Sequence, residues 1–160
     1  MNLEEFNKKN YDYIIFCDGS GETKKSSASY ASLIYSFMYE DGKTSFTSTN
    51  LLGYNSKGSN NYAELKAVVE SLYYIYPECV TKTALIVSDS EITVKGGTGE
   101  YQRKANLPFW VSIEYFEKVM KLEWQHVYRN TNKYNKWCDE IAKPFRKDCC
   151  DKYELLKLPE

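Results

Sequence analysis

The sequence predicts an α/β fold: a five-stranded mixed sheet in which three antiparallel strands precede two strands set in β-α-β units, flanked by helices. Three observations predict it. Strand-like runs crowd the first third of the chain, with a tight turn between the second and third. Apolar stripes at helical spacing then alternate with two short apolar runs. No repeat or linker interrupts the order β-β-β-α-β-α-β-α.

Taken in order, residues 1–10 are polar and are expected to fray. Tyr13, Ile14, Ile15 and Phe16 are aromatic or β-branched and place a buried strand at 11–17, with Asp18 and the turn formers Gly19, Ser20 and Gly21 behind it. Runs at 29–40 and 44–54 are joined by Asp41-Gly42-Lys43, a hairpin signal. After a loop at 55–60, Ser59 or Asn60 can cap a helix at about 61–76 that carries Leu65, Val68, Val69 and Leu72 on one face and stops at Pro77. "TALIVSDS" (83–90) is a short apolar strand ending in Asp89, and Gly96, Gly97 and Gly99 suggest a bend after it. A helix from Pro108 to about Lys121 aligns Trp110, Ile113 and Phe116, and "LEWQHVY" (122–128) is the fifth strand. The tail from about Lys133 is helical to Ala142, with Pro144 expected to break it.

A chain of 160 residues suits a single domain over 1–160, with a core at about 11–143 and terminal extensions at 1–10 and 144–160. Its net charge of −1 supplies no global field for nucleic acid, so a nucleic-acid enzyme would have to rely on a local basic patch. One histidine and five cysteines without CxxC spacing argue against structural zinc. The odd cysteine count and the lack of a secretory signal point to a reducing cytoplasm. No apolar run approaches the roughly 20 residues that span a bilayer, so no membrane partner is expected.

Four acids carry the chemistry. Asp18 and Asp89 end two strands that would be neighbours, Glu64 falls on the first turn of the first helix, and Asp139 lies in the last helix. Buried acids are unfavourable unless paired or bound to a cation, and oxygen ligands of this kind suit Mg²⁺. Each acid also has a plainer explanation: turn residues for Asp18 and Asp89, a dipole-favoured first-turn acid for Glu64, and a solvated helix acid for Asp139. Glu91 and Glu140 read as solvated charges, and His126, within the fifth strand, reads as structural.

At these residues the sequence resembles the ribonuclease H family of type 1, with its ribonuclease H-like fold. The likeness rests on "FCDGS" (16–20), "SNNYAEL" (59–65), "IVSDS" (86–90), "NLPFW" (106–110) and "NKWCDEIA" (135–142), in order from about Tyr13 to Ala142. The resemblance implies endonucleolytic cleavage of the RNA strand of an RNA–DNA hybrid, leaving 5′-phosphate and 3′-hydroxyl ends. It implies that Asp18, Glu64, Asp89 and Asp139 hold two Mg²⁺ ions about 4 Å apart, with Mn²⁺ as a substitute. One ion would activate water and the other would stabilise the leaving 3′ oxygen, while Glu64 would also probe the adjacent ribose. Asn60, Asn61 and Asn135 match positions that read the minor groove and its 2′-hydroxyls. The Gly19 backbone, with Ser20 beside it, would approach the RNA closely, and Ser59 matches a hydroxyl that grips a DNA phosphate.

Two departures from the family pattern stand out. Many members carry a histidine in the loop before the last helix; here that position is Arg129, which cannot act as a general base but can contact phosphate. The lysine-rich protrusion after the fourth strand is also missing, with Arg103 and Lys104 as a thin remnant, which makes this a short form. The first ten residues leave no room for an added hybrid-binding domain. Weak, salt-dependent binding is therefore expected, or delivery by a replication protein or polymerase, with Lys57, Lys95, Lys133 and Lys136 as a phosphate track. A monomer is expected. The alternatives are a resolvase-like DNA nuclease on the same fold, against which Asn60 and Asn61 argue, and a non-catalytic nucleic-acid-binding scaffold, against which the complete acid set argues.

Overall fold

The computed structural model describes residues 1–22, 27–55 and 58–156, with residue 22 and residues 146–156 described as backbone. Its elements are α1 (Leu3–Phe6), β1 (Tyr13–Glu22), β2 (Ser27–Glu40), β3 (Lys43–Asn55), α2 (Asn60–Ile75), β4 (Thr83–Ser88), α3 (Glu91–Thr98), α4 (Leu107–Val119), β5 (Lys121–His126) and α5 (Lys133–Leu156). The five strands form one mixed sheet in the order β3-β2-β1-β4-β5. β1 is antiparallel to β2 and parallel to β4, and β4 is parallel to β5. The expected mixed sheet is borne out. At the β2–β3 turn, Asp41 (φ 51°) and Gly42 (φ 73°) both take the left-handed conformation that a two-residue hairpin turn matching strand twist requires.

Alternation along β1 divides the interior in two. Tyr13, Ile15 and Cys17 face α2 and α4, where Leu65, Val68, Leu72, Ile113 and Phe116 complete one core. Ile14 and Phe16 face the other way, against Phe6, Tyr134, Cys138 and Ala142. A central strand buried on both faces explains why its sequence is a continuous apolar run. Among the described residues, no helix is long and apolar enough to cross a membrane.

Four local expectations are corrected. The amino terminus does not fray: Asn2 and Glu5 form a reciprocal capping box for α1, and Phe6, 2% exposed, sits edge-on to Phe16 with ring centroids 5.1 Å apart. Asp18 does not start a turn, because β1 continues to Glu22, pairing Asp18 with Ala31 and Ser20 with Ser29. What ends at Cys17↔Ser88 is the pairing with β4, so Asp18 lies where β1 loses its parallel neighbour. The glycine-rich segment is the helix α3, capped by Ser90, and Gly96 and Gly97 lie against the rings of Trp110 and Trp124 where a side chain would collide. Last, α5 runs through Pro144 to Leu156; Phe145 packs edge-on to Tyr54 of β3 at 6.3 Å, so tertiary contact continues past the missing N–H.

Phe6→Ala tests whether α1 belongs to the core. It is expected to lower unfolding free energy by about 3 kcal/mol in denaturant titrations; a frayed terminus would leave the midpoint unchanged.

Candidate active site

β4 ends beside the middle of β1, where their parallel pairing stops at Cys17↔Ser88, and the carboxyl ends of parallel strands are where open α/β sheets bind ligands. Asp18 comes from β1, Asp89 directly follows β4, and Glu64 comes from the first turns of α2. Carboxylate oxygens of these three acids lie within 4.8 Å of one another. The close approach of α2 to β1 makes this possible. A Cβ on Gly19 would stand 2.4 Å from the Glu64 nitrogen, and one on Gly21 would stand 2.4 Å from the Ser59 carbonyl carbon. Both positions therefore require glycine. Within the fold the need for glycine at position 19 comes from α2, because the space beside its Cα is filled by Ala63 and Glu64.

Hydrogen bonds then aim the acids. The Gly19 N–H donates to Asp18 Oδ1 and to Glu64 Oε1, each at 2.9 Å. Ser88 Oγ donates to Glu64 Oε2 at 3.2 Å. His126 Nε2 lies 3.2 Å from the Asp89 carbonyl, which gives the structural role expected for this histidine a specific content: it holds the turn that carries Asp89. Asp139 faces the same site from α5, where Arg129 Nη2 donates to its Oδ1 at 3.5 Å and Lys143 Nζ to its Oδ2 at 3.1 Å. Three of the four expected acids thus converge, and the fourth stands at the rim between two cations.

Burial pushes the Asp18 carboxyl up to about 7; the charges of Asp89 and Asp139 add to the rise, and a hydrogen bond with Glu64 opposes it. Glu64 is pushed well above the usual carboxylate range by burial and then by the charge of Asp18. Asp89 is raised by burial, against which the Arg129 guanidinium acts. Asp18 Oδ2 is buried with no hydrogen-bond partner. A set of oxygen-only donors with one oxygen left over is the chemistry that a hard divalent ion fits.

The remaining expected residues fall into groups. Asn60 and Asn61 are exposed at the start of α2, with Asn60 Oδ1 accepting from the Gly21 N–H at 2.7 Å. Ser59 proves to be the cap, its Oγ accepting from the Tyr62 N–H at 3.2 Å. Ser20 is buried on β1. Asn135 has one half of its amide engaged, while its Oδ1 is buried without a hydrogen-bond partner. It is 4% exposed, and its Nδ2 donates to the carbonyls of Cys17 (3.1 Å) and Val87 (3.3 Å), tying β1 to β4 beneath the acids. Arg103 is engaged within the fold: its guanidinium lies 4.4 Å over the Trp110 ring and pairs with Glu117 at 2.9 Å. Lys95 is paired with Glu91 at 2.5 Å. Lys104, Lys133 and Lys136 are exposed, and Lys57 lies outside the described residues. Sequence reasoning missed Gly21 and Ser88. Their only signals were the second glycine of "DGSGE" and the serine preceding Asp89.

The family model for RNase H matches residues 10–146. The chain belongs to the RNase H family. Among solved structures, it resembles the N-terminal RNase H domain of a Mycobacterium tuberculosis protein at 18% identity, covering 91% of this chain and 99% of that one, with a TM-score of 0.71. LC11-RNase H1, solved in complex with an RNA/DNA hybrid, aligns at 22% identity over 86% of this chain and 98% of that one, with a TM-score of 0.66. The foamy viral protease-reverse transcriptase, solved with dsDNA, aligns at 16% identity over 87% of this chain and 96% of that one, with a TM-score of 0.60. At such identities these likenesses concern the fold. No curated protein sequence matches. Family membership and the acid cluster together make this chain a ribonuclease H-type nuclease.

The raised Asp18 carboxyl has a consequence for stability. Its folded pKa of about 7 lies above the ordinary aspartate value of 3.8, so between these pH values the folded state binds the extra proton. Stability from this group is therefore present at low pH and is lost as pH rises toward 7. In chelator, Asp18→Asn is expected to stabilise the protein by on the order of 2 kcal/mol at about pH 8 and to change little at about pH 4. Denaturant titrations at the two pH values check the sign.

Proposed function

We propose that this chain is an endonuclease that hydrolyses the RNA strand of RNA–DNA hybrids, with divalent ions held by Asp18, Glu64, Asp89 and Asp139. The observation that carries the reading is the cluster of Asp18, Glu64 and Asp89 with a buried, unpartnered Asp18 oxygen, where the parallel pairing of β1 with β4 stops. Two Mg²⁺ ions bound there, or Mn²⁺ in their place, would lower the pKa of an attacking water and offset charge on the leaving 3′ oxygen, leaving 5′-phosphate and 3′-hydroxyl ends.

The chain's own residues do the rest. Gly19 and Ser88 fix the Glu64 carboxylate, and His126 and Asn135 hold the strand ends that present Asp89 and Asp18. Asn60 and Asn61, exposed on α2 beside the cluster, are the amides that would meet minor-groove edges and 2′-hydroxyls. Ser59 gives one lone pair to its helix cap and keeps a hydroxyl proton for a phosphate. Arg129 would hold a phosphate oxygen rather than move a proton. With Arg103 and Lys95 engaged internally, Lys104, Lys133 and Lys136 carry the electrostatic attraction, and binding would fall steeply with salt unless a replication protein or polymerase delivers the hybrid.

Matched hybrid, duplex DNA and duplex RNA incubated with protein and Mg²⁺ test the reading. Cleavage confined to the RNA strand of the hybrid is expected, reduced roughly a thousandfold by Asp18→Asn. Cutting of duplex DNA with the hybrid intact would favour a resolvase-like enzyme, and wild-type rates in Asp18→Asn would leave a scaffold. Arg129→Ala is expected to slow turnover by about tenfold, the value of one charge-assisted hydrogen bond. Single- and multiple-turnover rates then separate an effect on chemistry from one on product release.

A further inference from the structure

Glu64 is held at both of its oxygens, and the two holds come from the two strands that bear the aspartates. Gly19 on β1 donates to Oε1 at 2.9 Å, and Ser88, the last residue of β4, lies 3.2 Å from Oε2. Ser88 is fully buried, and its Oγ has a second partner, the Ser90 N–H at 3.0 Å. A backbone N–H only donates, so the serine oxygen accepts there and its proton is left for Glu64. Ser88 and Ser90 flank Asp89, and Ser90 Oγ in turn caps α3 by accepting from the Thr93 N–H at 3.3 Å. One hydroxyl thus joins the acid of α2 to the turn that carries the acid of β4.

We propose that Ser88 is a positioning residue for the metal site, setting the orientation of Glu64 relative to Asp89 through this two-sided hydrogen bond. The inference rests on the metal-dependent reading above and adds a residue to it. Without the hydroxyl, Glu64 Oε2 loses its donor and the Ser90 N–H loses its acceptor. Oε2 is then left without the donor that fixes it, while Gly19 still holds Oε1. Groups that orient metal-ligating side chains in this way typically account for 10–100-fold in metal affinity or activity.

Ser88→Thr and Ser88→Val separate the hydroxyl from the packing, because the two side chains have nearly the same shape and share any cost of the added methyl groups. Ser88→Ala removes the hydroxyl without adding bulk and serves as the second variant if the valine does not fold. The readout is Mn²⁺ binding to the hybrid-free protein by calorimetry, with thermal unfolding in chelator as the check on folding and the KM for hybrid as the check on substrate binding. The valine and alanine variants are expected to bind Mn²⁺ about tenfold more weakly, the threonine variant to stay close to the wild type, and KM to be unchanged in all three. Wild-type Mn²⁺ affinity in the valine or alanine variant overturns this inference alone. Wild-type protein that binds no Mn²⁺ overturns it together with the metal reading.

Discussion

The structure depends on one close contact, the first turns of α2 resting on the Gly19–Gly21 segment of β1. There the helix comes within a distance that no Cβ tolerates, and the Gly19 N–H reaches both Asp18 and Glu64. Shifting α2 outward by the thickness of a methyl group would take Glu64 out of hydrogen-bonding range and open the acid cluster. Other features serve to keep this contact tight. Ser59 caps the helix, Asn60 ties its first residue to Gly21, and Leu65, Val68 and Leu72 press it onto the sheet. Apolar contacts of this kind contribute about 1.5–3 kcal/mol per fully buried side chain, enough to hold the helix against the repulsion of the acids it delivers.

That repulsion is substantial. Removing a carboxylate from water costs several kcal/mol even after the protein relaxes, whereas an ordinary hydrogen bond returns only about 1 kcal/mol. The bonds from Gly19 and Ser88 therefore orient Glu64 without compensating for its burial, and the raised Asp18 and Glu64 carboxyls are the visible result. Protons and cations compete for the same oxygens. The fold is pre-organised for a cation at the expense of its own stability, as functional sites commonly are.

Much of this was legible in the sequence, for identifiable reasons. The acids sit at the ends of apolar runs or within helical stripes, so periodicity placed Glu64 on its helix and set Asp18 and Asp89 beside the right two strands, although β1 runs on past Asp18, and the Asp41-Gly42 turn fixed the β2–β3 register. Failures occurred where a local signal was outweighed by a contact distant in sequence. Gly96 and Gly97 read as a bend until the rings of Trp110 and Trp124 are seen against them. Pro144 read as a stop until Phe145 is seen on Tyr54. Residues 1–10 read as polar because their one buried side chain, Phe6, gives no periodic signal in so short a helix. That Asn135 Nδ2 ties the carbonyls of Cys17 and Val87 together was not legible either, because it depends on which way one side chain points.

Asp139 differs from the other three acids in its attachment. Asp18 and Glu64 are buried and bonded to backbone or to a buried hydroxyl, so moving either breaks contacts that solvent cannot replace. Asp139 pairs with Arg129 and Lys143, whose side chains are largely exposed. Exposed pairs contribute roughly 0–1 kcal/mol each, so Asp139 can exchange these partners for another cation at little cost. A phosphate approaching Arg129 would weaken its hold on Asp139 in the same step. Among the described residues the cluster accordingly combines two carboxylates fixed by buried bonds, Asp18 and Glu64, with one at the rim, Asp139, whose partners are exposed cations.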